Sequence, residues 1–131
     1  RICALIVDAP VLDWRQVIDH HARARRVPPI FARIAGDLLG NRWARYLVGV
    51  EEPVSLDRMD WTSRASELRV PLLLIHSEDD EYVPWGPSRQ LAEARPDLVT
   101  LVAVSGARHT KEWNVDPQGW EVSVARFLLR L

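Results

Sequence analysis

Two uninterrupted apolar runs constrain this chain most. Ile2-Cys3-Ala4-Leu5-Ile6-Val7 stops at Asp8, and Pro71-Leu72-Leu73-Leu74-Ile75 stops at His76. Neither alternates with polar residues, so neither suits a strand with one face in water. Both suit parallel strands covered on both faces. Leu98 to Val104 reads as a third strand. Helical patterns fill the gaps. Asp13 can cap a helix whose stripe is Trp14, Val17, Ile18 and His21, closed by Pro28-Pro29. A second pattern runs from about Ile30 to Val50, weakened by Gly36 and Gly40 so that it can divide into two shorter helices. Residues 56–68 read as a short helix, and residues 87–95 as another with Pro87 near its first position. Asp116 caps a last helix with Pro117 at its first position. Its face Trp120, Val124, Phe127, Leu128 and Leu131 should pack on the sheet.

The order strand, long helical segment, strand, helix, strand, helix predicts an α/β chain. Right-handed crossovers then give three parallel strands in spatial order 1-2-3 with helices on both faces. One connection is out of scale. About 60 residues separate Val7 from Pro71, where a whole βαβ unit takes roughly 30. The surplus, residues 14–55, reads as an inserted helical cap or lid. The tryptophans in the helical stripes, Trp14, Trp43 and Trp61, fit core or lid packing.

Composition sets limits on function. The 131 residues are 47% hydrophobic and 27% charged, enough apolar material for one small domain's core. Seventeen basic against eighteen acidic residues give a net charge of −1, which offers no footprint for nucleic acid. A single cysteine, Cys3, excludes an internal disulfide or a multi-cysteine zinc site, and within the first strand it should simply pack. No apolar run reaches the ~18–20 residues of a membrane span. His20 and His21 are neighbours that point in different directions on a helix, and Glu78 to Glu81 lacks calcium-loop spacing, so no metal and no cofactor is expected. Arg23, Arg25 and Arg26 read as a solvated face. The chain opens on Arg1 and enters a strand at once, as if cut from a longer protein. Its compartment is therefore open, with the cytoplasm as the default.

In an open parallel sheet, reactive groups gather beyond the carboxyl ends of the strands. Asp80 lies in the turn after the second strand and His109 in the loop after the third, 29 positions apart. An acid followed by a histidine on successive strand-end loops matches the last two parts of the order Ser…Asp…His. His76 closes its strand and reads as structural. Asp79 stands beside Asp80 as the competing acid. Asp8 ends the first strand, where it can cap, turn or face the site.

These segments resemble the α/β-hydrolase family. Leu73-Leu74-Ile75-His76-Ser77-Glu78-Asp79-Asp80-Glu81-Tyr82-Val83-Pro84 resembles its acid loop, H-G-x-x-D-x-x-V-P after a buried strand. Ser105-Gly106-Ala107-Arg108-His109-Thr110 resembles its histidine loop, G-x-G-H, and Asp8-Ala9-Pro10 resembles the end of its sixth strand. Ser77 and Arg108 stand where the family carries glycine. The resemblance covers the chain as the C-terminal half of the fold, strands six to eight with the lid after strand six. It implies that His109 is the general base and Asp80 its orienting acid. Trp85 and Trp113, just beyond the two loops, would line an apolar acyl pocket.

The family's nucleophile occupies a G-x-S-x-G turn, and no such sequence occurs here. The expectation is therefore a C-terminal fragment of a serine hydrolase, inactive alone, whose substrate is a small acyl or peptide-like molecule. The open edge of the first strand should pair with the missing N-terminal half or with a second copy. Other readings remain. An upstream aspartate nucleophile would make a dehalogenase or epoxide hydrolase. A non-catalytic α/β binding module would leave Asp80 and His109 beyond about 3.5 Å. A phosphoacceptor domain using Asp8 would need a five-stranded sheet.

Overall fold

The computed structural model describes residues 2–44, 46, 49 and 51–131. Its parallel sheet contains β1 (Leu5–Asp8), β2 (Leu72–Ser77) and β3 (Val99–Val104) in the order β1-β2-β3. Contact density divides the chain into two compact units, Arg1–Val11 with Thr62–Leu131, and Leu12–Trp61.

In the sheet unit, β2 is central and all six of its residues are buried. Both of its faces are covered. Leu73 and Ile75 form a core with Phe127 of α5 (Pro117–Leu128), and Trp120 and Val124 pack against it. On the other face His76 meets Ser88 of α3 (Gly86–Ala94), a helix that also buries Leu91. The apolar run at Pro71–Ile75 thus behaves as its lack of alternation predicts. Leu128 and Leu131, expected on the packed face of α5, are more than half exposed, so the buried stripe is narrower than its spacing suggests.

The first apolar run is only partly a strand. The Leu5 N–H bonds to the Pro71 carbonyl at 2.9 Å, and Leu5 pairs with Leu72. Pro71 has no N–H to offer, so the ladder cannot extend toward Ile2. Ile2 and Cys3 therefore lie outside the strand and are exposed, which corrects the packed position expected for Cys3. At the edge of the sheet, Leu5 and Ile6 are each 37% exposed.

In the second unit, α1 (Trp14–Ala24) and α2 (Pro29–Leu39) pack together. Asp13 caps α1 as expected, its Oδ1 accepting the N–H groups of Arg15 and Gln16 at 2.8 and 3.2 Å. Pro29 takes the first position of α2. Leu47 and the Val50 end of the second helical pattern lie outside the described residues. The helix expected over 56–68 is absent as such. Two 3₁₀ turns, Asp57–Met59 and Ala65–Glu67, stand there instead. Asp60 is extended, and the Trp61 N–H goes to the Leu12 carbonyl at 2.8 Å, so no helical ladder can cross that point. Trp14, Trp43 and Trp61 are all exposed rather than packed in a core, Trp43 at 85%.

Among the described residues no helix is long and apolar enough to cross a membrane.

Candidate active site

The turn after β2 fixes one carboxylate very firmly. Asp80 Oδ1 accepts the N–H groups of Tyr82 and Val83 at 2.8 and 3.0 Å, a side-chain turn of the kind aspartate favours. Its Oδ2 lies 2.9 Å from His109 Nδ1. The Asp80 carboxylate has no exposed surface, while the His109 ring keeps 34% of its own. Burial by itself would raise the pKa of Asp80. The hydrogen bonds from Val83, His109 and Tyr82 outweigh it and hold the acid below its ordinary range. Because an ionised carboxylate only accepts, Nδ1 of His109 must carry the proton. Its Nε2 then presents a lone pair, the form a general base requires.

His76 supports this turn from beneath. Its Nε2 lies 3.1 Å from the Val83 carbonyl, which can only accept, so Nε2–H donates. Nδ1 therefore accepts the Ser88 hydroxyl at 2.7 Å. Burial lowers the pKa of His76 and keeps the fully buried ring neutral. The structural reading of His76 agrees with these contacts.

The loop after β3 is tied to the acid turn by its backbone. Gly106, at φ +76°, donates its N–H to Asp79 Oδ2 at 2.7 Å. Ser77 Oγ donates to the Ala107 carbonyl at 2.7 Å and accepts the Asp79 N–H at 3.1 Å. Asp79 and Asp80 thus hold different parts of the histidine loop, one its backbone and one its imidazole. The ring of Tyr82 lies 6.0 Å from that of His109, within the range of aromatic contact.

Trp85 and Trp113 stand apart from this network. Trp85 is half-buried at the start of α3, with the Arg89 guanidinium 5.8 Å from its ring centre. Trp113, 47% exposed, lies in a short helix, α4 (Glu112–Val115), which the sequence pattern does not reveal. Its indole N–H reaches Glu121 at 3.4 Å. Asp8 neither caps nor turns; its Oδ2 accepts the indole N–H of Trp120 at 3.0 Å. Arg23, Arg25 and Arg26 are exposed. Among the described residues no group of three or more His, Cys, Asp or Glu side chains is placed to hold a metal ion. Sequence reasoning passed over Ser77, Tyr82 and Ser88. For Ser77 a signal existed, since it replaces a glycine of the resembled motif with a hydroxyl.

No family model matches the sequence. Over 74 residues, 56% of the chain, it is 35% identical to the Pseudomonas syringae pv. syringae protein described as "Putative carbamate hydrolase RutD", and the match takes in 28% of that protein. Its structure is similar to the Pyrococcus furiosus esterase Pf2001 in two crystal forms. The TM-scores are 0.61 at 19% identity and 0.62 at 17% identity. Both matches cover 98% of this chain, and 45% and 44% of the esterase respectively. The fold is that of the C-terminal region of an α/β-hydrolase. The chain spans less than half of the esterase and under a third of the curated relative. Within the α/β-hydrolase sheet, the loops after β2 and β3 are those that bring Asp80 and His109 within 2.9 Å. The separation beyond about 3.5 Å expected of a non-catalytic module is not found.

Proposed function

We propose that this chain supplies the acid and the base of a hydrolase that cleaves an ester, peptide-like or other acyl bond. Asp80 is the orienting acid and His109 the base. The observation that carries the reading is the 2.9 Å contact of His109 Nδ1 with a buried carboxylate whose other oxygen is filled by two backbone N–H groups. Such a carboxylate cannot rotate away, and it selects the imidazole tautomer with Nε2 free. His109 Nε2 takes the proton of the attacking hydroxyl, and Asp80 stabilises the imidazolium that forms. The same proton then goes to the leaving group. The similarity to a carbamate hydrolase and to an esterase supports hydrolysis as the reaction class.

The nucleophile is a serine outside these 131 residues, since no G-x-S-x-G occurs among them. The segment that bears it pairs along the free edge of β1. Residues 14–55 form the lid, and Trp85 and Trp113 wall an apolar acyl site.

The test is an intact mass spectrum before and after a fluorophosphonate, which phosphonylates an activated serine with loss of fluoride. The reading expects the 15.0 kDa chain to stay unlabelled while a longer or companion species takes the label. Labelling of the 15.0 kDa chain itself would place the nucleophile among its own serines. No label on any species would turn the assignment to an aspartate nucleophile, as in dehalogenases and epoxide hydrolases, or to a binding module.

A further inference from the structure

Beneath the His109 loop lies a second pair of carboxyl groups that the acid–base reading does not use. Glu112 opens α4, three residues after His109, and is fully buried. Its Oε1 accepts the Ser77 N–H at 3.0 Å. Asp8, at the end of β1, pairs with Ile75, two residues before Ser77, so the two carboxyl groups sit at neighbouring strand ends and interact electrostatically. Asp8 Oδ2 is occupied by the Trp120 indole N–H at 3.0 Å. Two oxygens are left over, Asp8 Oδ1 and Glu112 Oε2, and both are buried without a donor. Were both groups ionised, two negative charges would abut in a site that water does not reach, each with an orphaned acceptor. One proton on the pair removes the repulsion and converts both orphans into a single hydrogen bond.

We propose that Glu112 holds this proton and donates it to Asp8, and that the shared proton ties the loop bearing His109 to the ends of β1 and β2. Glu112 is then a positioning residue for His109; that role, though not the shared proton, rests on the reading of His109 as the base. The tie has work to do. His109 is followed by Thr110 at φ +53°, a left-handed conformation that β-branched residues resist. Such a backbone persists only where its surroundings hold it. Here Ser77 grips the loop on both sides of the histidine, through Ala107 by its hydroxyl and through Glu112 by its N–H. Ala9, next to Asp8, is left-handed as well, at φ +45°.

Burial and the neighbouring Asp8 both raise the pKa of Glu112, and the Ser77 N–H acts in the opposite sense. The charged or titratable groups that bear on the pair can be named element by element. Among the described residues, β1 contributes Asp8 and α4 contributes Glu112 itself, while β2 offers the Ser77 N–H to Glu112 and α5 the Trp120 indole N–H to Asp8.

Infrared spectroscopy of the full chain with isotope-labelled glutamate tests the proton directly. A buried un-ionised acid band at neutral pH, lost in Glu112→Gln, is expected. The amide of Glu112→Gln can still donate to Asp8 and accept from Ser77. That variant should therefore keep the hydrogen-bonded Nδ1–H resonance of His109, while Glu112→Ala should lose or broaden it. Absence of the acid band overturns the shared proton. So does a Glu112→Gln variant that is more stable than the parent at neutral pH, since that gain signals relief of a doubly ionised pair. An unchanged His109 resonance in a folded Glu112→Ala overturns the positioning role, and if Glu112→Ala does not fold, the infrared band and Glu112→Gln still decide. A parent protein with the acid band but no His109–Asp80 resonance would instead count against the acid–base reading.

Discussion

Asp80 and Asp79 are adjacent, yet only Asp80 meets the imidazole of His109, at 2.9 Å, while Asp79 accepts the Gly106 N–H at 2.7 Å. One carboxylate selects a tautomer and its neighbour shapes a loop. Asp80→Asn should therefore lower kcat by about 10³–10⁴ in the hydrolase that contains this region, because an amide can turn its NH₂ toward Nδ1 and favour the wrong tautomer. Asp79→Asn keeps an acceptor for Gly106 and should cost less than about tenfold, as does losing one neutral hydrogen bond's increment of roughly 1 kcal/mol. Steady-state kinetics of both variants checks the assignment. Equal losses would contradict it.

Acid should lower the stability of the chain in two stages. His76 has a pKa below that of a free histidine, so the unfolded chain binds its proton first. Stability then falls as the pH drops below about 6.5. Asp80 has a pKa below the ordinary carboxylate range. Its contribution is present above that range and is lost as the pH falls through the lowered value. Urea denaturation across a pH series should show both stages, and Asp80→Asn should remove the second and deepen the first, since the Asp80 carboxylate, 3.4 Å from His76 Nε2, favours the charged ring.

Ser88→Ala deletes the hydroxyl that donates to buried His76 Nδ1 at 2.7 Å. Leaving that acceptor unpaired should cost about 1–3 kcal/mol. A thermal melt should record this as a fall in Tm of several degrees, at roughly 3–6 °C per kcal/mol for a domain of this size. Activity should fall far less than in Asp80→Asn, because Val83 still holds the ring from the other side.

Phe127 and Leu128 are neighbours in α5 with opposite fates. Phe127 is buried against Leu73 and Ile75, whereas Leu128 is 53% exposed. Phe127→Ala should lose about 3–5 kcal/mol. Leu128→Ala should change stability by less than about 1 kcal/mol. Chemical denaturation of the two variants distinguishes a true core position from an apolar residue that merely keeps helical spacing.

The strand ends were the most legible part of the chain. Pro71–Ile75 read as a buried parallel strand because its apolar residues do not alternate, and Asp80 and His109 followed from where such strands end. What escaped the sequence depends on partners distant along the chain. Cys3 looked buried inside an apolar run, but Pro71 stops the ladder at Leu5, and nothing in the run itself announces that. Residues 56–68 kept helical spacing, yet Trp61 gives its N–H to Leu12, 49 positions earlier. Glu112 carries no motif at all, and Ser77 shows only as a hydroxyl where the resembled motif has glycine. Their importance comes from burial at a crossing of three strand ends and a short helix, a property of tertiary packing rather than of local pattern.

Every tie in the acid–histidine pair leads back to β2. Asp80 hangs from its end, His76 lies within it, and Ser77 grips the histidine loop on both flanks. The amides of β2 should thus be among the slowest in the molecule to exchange with deuterium, opening only with the whole sheet unit. The reactive geometry then has no private melting point. It should survive fraying of the chain ends and vanish in the same cooperative event that dissolves the sheet.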